Sequence, residues 1–208
     1  YKIYIQNLNN RTMKVVILGS GKGTNAEAIM NAASENQLAN VEIVGVLSDS
    51  QDAMILKYAK SHNIRNAFLE PGEHKYRLLN EGEDIWIKTI QELQPDLIVL
   101  AGFMRILDSK FLAIFKNKII NLHPSLLPSF PGLNSIEKAF EKKVKITGCT
   151  VHWVNEKIDE GEIIAQAPVR IMNGDDLNMV KQKVQAAEHM LLPWVIRDLD
   201  LGIIPFAE

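Results

Sequence analysis

The sequence predicts a doubly wound α/β protein: a mostly parallel, Rossmann-like sheet, an antiparallel strand pair near the C-terminal end, and a long last helix. Three observations lead there. From Met13 onward, apolar runs of strand length alternate with stretches of helical period, the pattern of a sheet covered by helices on both faces. The first run, Val15-Val16-Ile17-Leu18, is apolar at every position, as a strand buried on both faces requires. Beyond residue 124 the rhythm changes to two strand-like runs joined by a polar turn, which suits an antiparallel pair.

The elements follow in order. Glycines end the first strand, and residues 24–38 read as a helix with Ala28, Ile29, Ala32 and Ala33 on one face. Residues 41–47 form a second strand and 52–62 a second helix, with Asp52 at its N-cap. The spacing of Trp86, Ile90 and Leu93 predicts a helix over 83–93, and Pro95 then precedes the strand Leu97-Ile98-Val99-Leu100-Ala101. Ile119-Ile120 is another central strand, leading into Asn121-Leu122-His123-Pro124. The late strands cover 147–154 and 162–171. The last helix covers 176–199, with Val180, Val184, Ala187, Leu191 and Val195 at helical spacing. With no internal repeat or linker, residues 13–208 are expected to form one domain. Residues 1–12, rich in Asn and Gln and unlike a signal peptide, read as an N-terminal extension or remnant without a catalytic role. An edge strand is the alternative, since Ile3 and Ile5 alternate with polar neighbours.

Composition narrows the function classes. The chain has 208 residues, 47% of them hydrophobic and 23% charged, which argues against disordered, collagen-like and coiled-coil proteins. A net charge of −2 offers no basic field for nucleic acid or a membrane surface. No apolar run approaches the ~20 residues of a membrane helix. The single cysteine, Cys149, rules out an internal disulfide and fits a reducing, cytoplasmic compartment. No residues have metal-ligand spacing, so no metal is expected.

Three segments could carry chemistry. Gly19-Ser20-Gly21-Lys22-Gly23-Thr24-Asn25 joins a buried strand to a helix, where glycines let backbone amides approach an anion and the helix dipole favours it. It is neither a P-loop nor a dinucleotide fingerprint, since Lys22 is followed by Gly23 and the third glycine position holds Thr24. A mononucleotide-like phosphate or a plain tight turn fits it. Asn121 to Gly132 is a proline-rich connection leaving a strand end, where open α/β sheets place their sites. Asn121 and His123, two apart, face one side of an extended chain, and an amide donor beside an imidazole suits a developing oxyanion and a moving proton. Packed structural roles are the alternative for each. The third segment, Asn155 to Gly161, is an acidic turn that carries little by itself. His152 reads as a core or sheet-face residue, and Glu188-His189 as an ordinary polar pair on the last helix.

In this order the segments resemble the phosphoribosylglycinamide formyltransferase family, from about Met13 to Leu199. The most specific match is Asn121-Leu122-His123-Pro124-Ser125-Leu126-Leu127-Pro128. Leu100 to Leu107, Thr147 to His152, and Ile158-Asp159-Glu160-Gly161 followed by Ile163 to Gln166 match as well. The resemblance implies a formyltransferase-type fold and transfer of a formyl group from the cosubstrate 10-formyltetrahydrofolate to the amine of 5′-phosphoribosylglycinamide. By that resemblance Gly23, Thr24, Asn25, Gln185 and Glu188 would bind the ribonucleotide. Met104, Arg105, Ile106, Leu107, Asn155, Glu156, Lys157 and Ile158, with Asn121 and Asp159, would hold the folate.

Asn121, His123 and Asp159 match the family's catalytic trio, and transfer is expected to be direct, through a tetrahedral intermediate. Asn121 and a protonated His123 would stabilise the oxyanion, with Asp159 favouring the imidazolium. Partners are expected to be small molecules, not nucleic acid or a membrane, on a monomer or homodimer. Two other readings remain at this point: hydrolysis of formyltetrahydrofolate, and a non-catalytic phospho-ligand binding protein. The basic residue facing the folate tail is left open between Lys75 and Arg77.

Overall fold

The computed structural model describes residues 11–207. These form a seven-stranded sheet in the order β3-β2-β1-β4-β5-β6-β7. The strands are β1 (Met13–Leu18), β2 (Val41–Ser48), β3 (Asn66–Phe68), β4 (Leu97–Leu100), β5 (Ile119–His123), β6 (Ile146–Trp153) and β7 (Ile163–Arg170). The helices are α1 (Thr24–Ser34), α2 (Met54–Ser61), α3 (Asn80–Leu93), α4 (Ser109–Ile114), α5 (Ser135–Glu141) and α6 (Leu177–Asp200). Strands β1 to β5 pair in parallel, whereas β6 runs antiparallel to both β5 and β7. The expected doubly wound sheet with a late antiparallel pair is therefore present.

Alternation along the central strands builds two cores. In β1, Val15 and Ile17 pack with α1, α2 and α6, while Val16 and Leu18 face α3 and α4. In β4, Leu97 and Val99 join the first core, and Ile98 and Leu100 the second. Successive side chains of a strand point to opposite faces, so a continuously apolar run serves both layers. The two rims of the sheet remain for loops, and the site lies at the carboxyl ends of β1, β4 and β5.

Several boundaries differ from expectation. Helix α1 ends at Ser34, four residues early, because Asn36 turns left-handed at φ 57°. Gln37 N–H then bonds Ala32 O at 2.8 Å and Asn36 N–H bonds Ala33 O at 3.1 Å, which closes the end. Its buried stripe is Ala26, Ile29, Met30 and Ala32, so Ala28 and Ala33 sit at the margins. Asp52 does not cap α2; Ala53 holds that position, and Asp52 falls in the preceding turn. Helix α3 starts at Asn80 rather than Glu83, and Ala101 lies just past β4. Elements β3, α4 and α5 have no counterpart in the sequence reading. The proposed edge strand with Ile3 and Ile5 lies outside the described residues. From the same segment, Arg11 pairs with Asp96 at 2.7 Å, and the other Asp96 oxygen accepts from Lys14 N at the start of β1.

Candidate active site

Strands β1 and β4 are neighbours, but the chain continues from them in opposite directions across the sheet: β2 lies beyond β1, and β5 beyond β4. Their following loops must separate, leaving a crevice at the rim where open α/β sheets bind ligands. A cavity of about 270 Å³ opens there, lined by residues 20–25 after β1, Ala101, Gly102 and Met104 after β4, and Gln185 and Glu188 of α6. Gly23 is the residue preceding α1, at φ 70°, and a Cβ there would stand 2.7 Å from the Ile55 Cα. Only glycine combines that conformation with that approach. No side chain caps α1, so its first amides remain available to an anion.

Two bonds join this helix start to α6: Gln185 Nε2 donates to Thr24 Oγ1 at 2.9 Å, and Asn25 Nδ2 to Glu188 Oε2 at 3.2 Å. All five residues expected to bind the ribonucleotide are thus gathered at one cavity. Glu188 is buried rather than an exposed polar residue, and burial pushes its carboxyl up to about 7 against the opposing Asn25 bond.

Strand β5 presents the second cluster. Asn121 and His123 pair with His152 and Thr150 across the antiparallel ladder, which brings His152 to the same place. Asp159 reaches it from the turn after β6, itself left-handed at φ 56°. Gly161 allows this: a Cβ there would lie 1.6 Å from the Trp153 carbonyl oxygen. Asp159 Oδ2 lies 3.2 Å from His123 Nδ1 and accepts the Gly132 N–H at 2.7 Å. Its Oδ1 lies 3.6 Å from His152 Nε2, close for charges but long for a hydrogen bond. Burial works to raise the Asp159 carboxyl, but the His152 imidazole, the Gly132 amide and the His123 charge outweigh it and hold it below the ordinary range.

The bonds around His123 define its proton positions. Nε2 lies 2.9 Å from Phe130 O and 3.0 Å from Ser135 Oγ, whose own hydrogen goes to Gly132 O at 2.7 Å. Nε2 is therefore a donor, while Nδ1 faces a carboxylate. Only the imidazolium donates on both sides. Both ring nitrogens are engaged by the protein, so direct donation from His123 to a substrate requires Nε2 to leave Phe130 O.

His152 has a complementary arrangement. Its Nδ1 lies 2.8 Å from Trp153 O, which makes that nitrogen a donor, and its Nε2 lies between Asn121 Nδ2 at 3.2 Å and Asp159 Oδ1 at 3.6 Å. The Asn121 side chain is held against β6 in this way. A lone histidine between two apolar residues of a strand gave no sign of this. Only the β5–β6 register reveals it.

The expected folate segments divide. Met104 is exposed, but Leu107 is a core residue of the second layer. Arg105 is turned away: its Nε bonds Asp49 at 2.6 Å, and its guanidinium also meets the carbonyls of His74 and Lys75. Ile106 pairs through its backbone with Tyr76 and Leu78. These contacts fasten residues 74–78 against the loop after β4. In the turn after β6, Asn155 accepts from Lys157 N and reaches Glu160 O, bonds within the turn itself. Glu156, Lys157 and Ile158 project into solvent beside Asp159. Among the described residues, no group of three or more His, Cys, Asp or Glu is placed to hold a metal ion.

The glycine-rich loop, the Asn121–His123–Asp159 cluster and the switch-point crevice share one rim of a Rossmann-like sheet. The chain belongs to the formyl transferase family, whose model matches residues 13–196. It is similar to the phosphoribosylglycinamide formyltransferase of Bacillus subtilis (strain 168), 35% identical over 190 residues that cover 91% of this chain and 95% of that protein. The enzyme of that name from Haemophilus influenzae is 39% identical, over 88% of this chain and 85% of its own length. The trifunctional purine biosynthetic protein adenosine-3 of Gallus gallus is 35% identical over 97% of this chain, yet the chain spans only 20% of that protein's length. Among solved structures, glycinamide ribonucleotide transformylase 1 from Symbiobacterium toebii superposes with a TM-score of 0.87 at 35% identity, covering 96% of this chain and 93% of that one.

Proposed function

We infer that this protein transfers the formyl group of 10-formyltetrahydrofolate to the amine of 5′-phosphoribosylglycinamide. The observation that carries the reading is the Asn121–His152–Asp159–His123 cluster at the end of β5, on the same sheet rim as an open cavity at the start of α1. Relatives named phosphoribosylglycinamide formyltransferase, matched over 95% and 85% of their length, support formyl transfer to phosphoribosylglycinamide, and the folate donor follows from the resemblance of the site segments.

In this reading the ribonucleotide phosphate lies on the amides of Gly23, Thr24 and Asn25, with Gln185 and Glu188 beside the rest of the molecule. The folate enters past Met104 and the turn of residues 155–159. The amine attacks the formyl carbon and forms a C–N bond, and the carbonyl electrons move onto oxygen. The amide of Asn121 meets this oxyanion, and the His123 charge stabilises it from behind. Collapse breaks the bond to the folate nitrogen, which takes up a proton as the amine loses one; Asp159 assists that exchange through water. No side chain forms a covalent intermediate. Cys149 is buried in β6, and its thiol is pushed up to about 12 by burial. Holding both substrates at one rim supplies a further share of the acceleration. The free thiol of Cys149 supports a cytoplasmic setting, and we propose a monomer or homodimer acting on small molecules alone.

The test follows folate absorbance after purified protein is mixed with 10-formyltetrahydrofolate, with and without the ribonucleotide. Turnover that requires the ribonucleotide is expected. Equal turnover in its absence would mean hydrolysis instead.

A further inference from the structure

The cavity at the start of α1 has an uneven charge inventory. Lys22 is the one cationic side chain in its lining, and Glu188 the one carboxyl group. The nearest basic residue on the facing loop, Arg105, is already committed to Asp49 at 2.6 Å. A phosphate monoester near neutral pH carries between one and two negative charges, more than the half charge of a helix start balances. Lys22 lies one residue before the Gly23 turn, so its backbone is carried by the same loop as the amides of the first helical turn.

From this juxtaposition we propose that Lys22 is a further binding residue of this site, supplying the cation that pairs with the substrate phosphate. The proposal rests on the activity inferred above. Lys22 is exposed, with its long side chain free to swing over a bound phosphate as a mobile point charge. It strengthens capture and binding of the phosphorylated substrate, and it takes no part in the transfer step at the other end of the molecule.

The experiment compares wild type with Lys22→Gln, Lys22→Glu and Lys22→Arg, using the whole chain. The readouts are KM and kcat for 5′-phosphoribosylglycinamide, and inhibition by or binding of its dephosphorylated riboside. A third readout is a titration with inorganic phosphate, followed through the amide resonances of Gly23 and Thr24. Loss of a charge-assisted contact at an exposed position should raise the ribonucleotide KM about tenfold in Lys22→Gln, and more in Lys22→Glu. Lys22→Arg should stay near wild type, kcat and the folate KM should hold, and the riboside should bind all variants alike. The phosphate Kd should rise in parallel. An unchanged phosphate Kd in Lys22→Gln, or an equal loss for the riboside, would overturn the role of Lys22. If wild type fails to turn over the ribonucleotide, the activity reading falls, and the phosphate titration still decides for or against Lys22.

Discussion

His123 Nδ1 lies 3.2 Å from Asp159 Oδ2, with the two side chains only 6% and 9% exposed. A buried carboxylate in such contact is worth most while it is ionised, and its pKa is held below the ordinary value of 3.8. A depressed carboxyl contributes stability that is present above the unfolded value and lost as pH falls through the folded one. Asp159→Asn keeps the shape but removes the charge. Its kcat at neutral pH should fall about 100-fold or more, and its stability deficit against wild type should shrink below about pH 4. Rate measurements and denaturant unfolding across pH 3 to 8 check both. A near-normal kcat would make Asp159 a structural turn residue.

Asn121→Ala and His123→Ala should each lower kcat by about 100- to 1000-fold, with both KM values changing little. Steady-state kinetics alongside circular dichroism separates chemistry from folding. His123 also ties Phe130 and Ser135 to β5, so its variant should be the less stable of the two.

Phosphate recognition is best tested at Thr24. Gly23→Val would strike the Ile55 backbone and strain a positive φ, so it should cost about 1–3 kcal/mol of stability along with any binding effect. Thr24→Val keeps the size but removes one hydroxyl, and with it the bond from Gln185 Nε2 that joins the helix start to α6. The ribonucleotide KM should rise several-fold, roughly the worth of one hydrogen bond, and the folate KM should not. Equal changes in both would place the phosphate elsewhere.

Glu188 titrates in the opposite sense to Asp159. Burial lifts it from 4.5 to about 7, so its contribution to stability is fully present below 4.5 and lost as pH rises to the folded value. Glu188→Gln should therefore flatten the stability–pH curve between pH 4.5 and about 7, by on the order of 3 kcal/mol. Ribonucleotide binding should be weakened in that variant as well. Urea unfolding at several pH values gives the first answer, and KM the second.

Sheet, layers and late hairpin were legible because continuous apolar runs of strand length alternate with stretches of period 3.6 along the chain. Three short elements were not: β3 is a three-residue strand without an apolar run, and α4 and α5, of six and seven residues, hold too few turns for a helical period to register. The proline-rich stretch after Asn121 announced a rigid strand exit, and the structure adds what the rigidity serves. Phe130 O and Ser135 hold one edge of His123, and the Gly132 amide holds Asp159. Arg105 shows the reverse case. A basic residue beside a binding loop looks like a ligand contact, but Asp49, 56 positions earlier in the chain, claims it. Partners separated by that much sequence are fixed by strand order, which local pattern does not encode.

The bonds between α1 and α6 span 161 and 163 positions, from Thr24 to Gln185 and from Asn25 to Glu188. During synthesis, the anion loop leaves the ribosome early and stays half-built until nearly the whole chain has followed. Ribosomes add roughly 5–20 residues each second, so this wait lasts on the order of ten seconds or more. Helix α6 supplies both Gln185 and Glu188 to the pocket and seven side chains, from Val180 to Leu199, to the first core, so the element that completes the cavity is the one that closes that core.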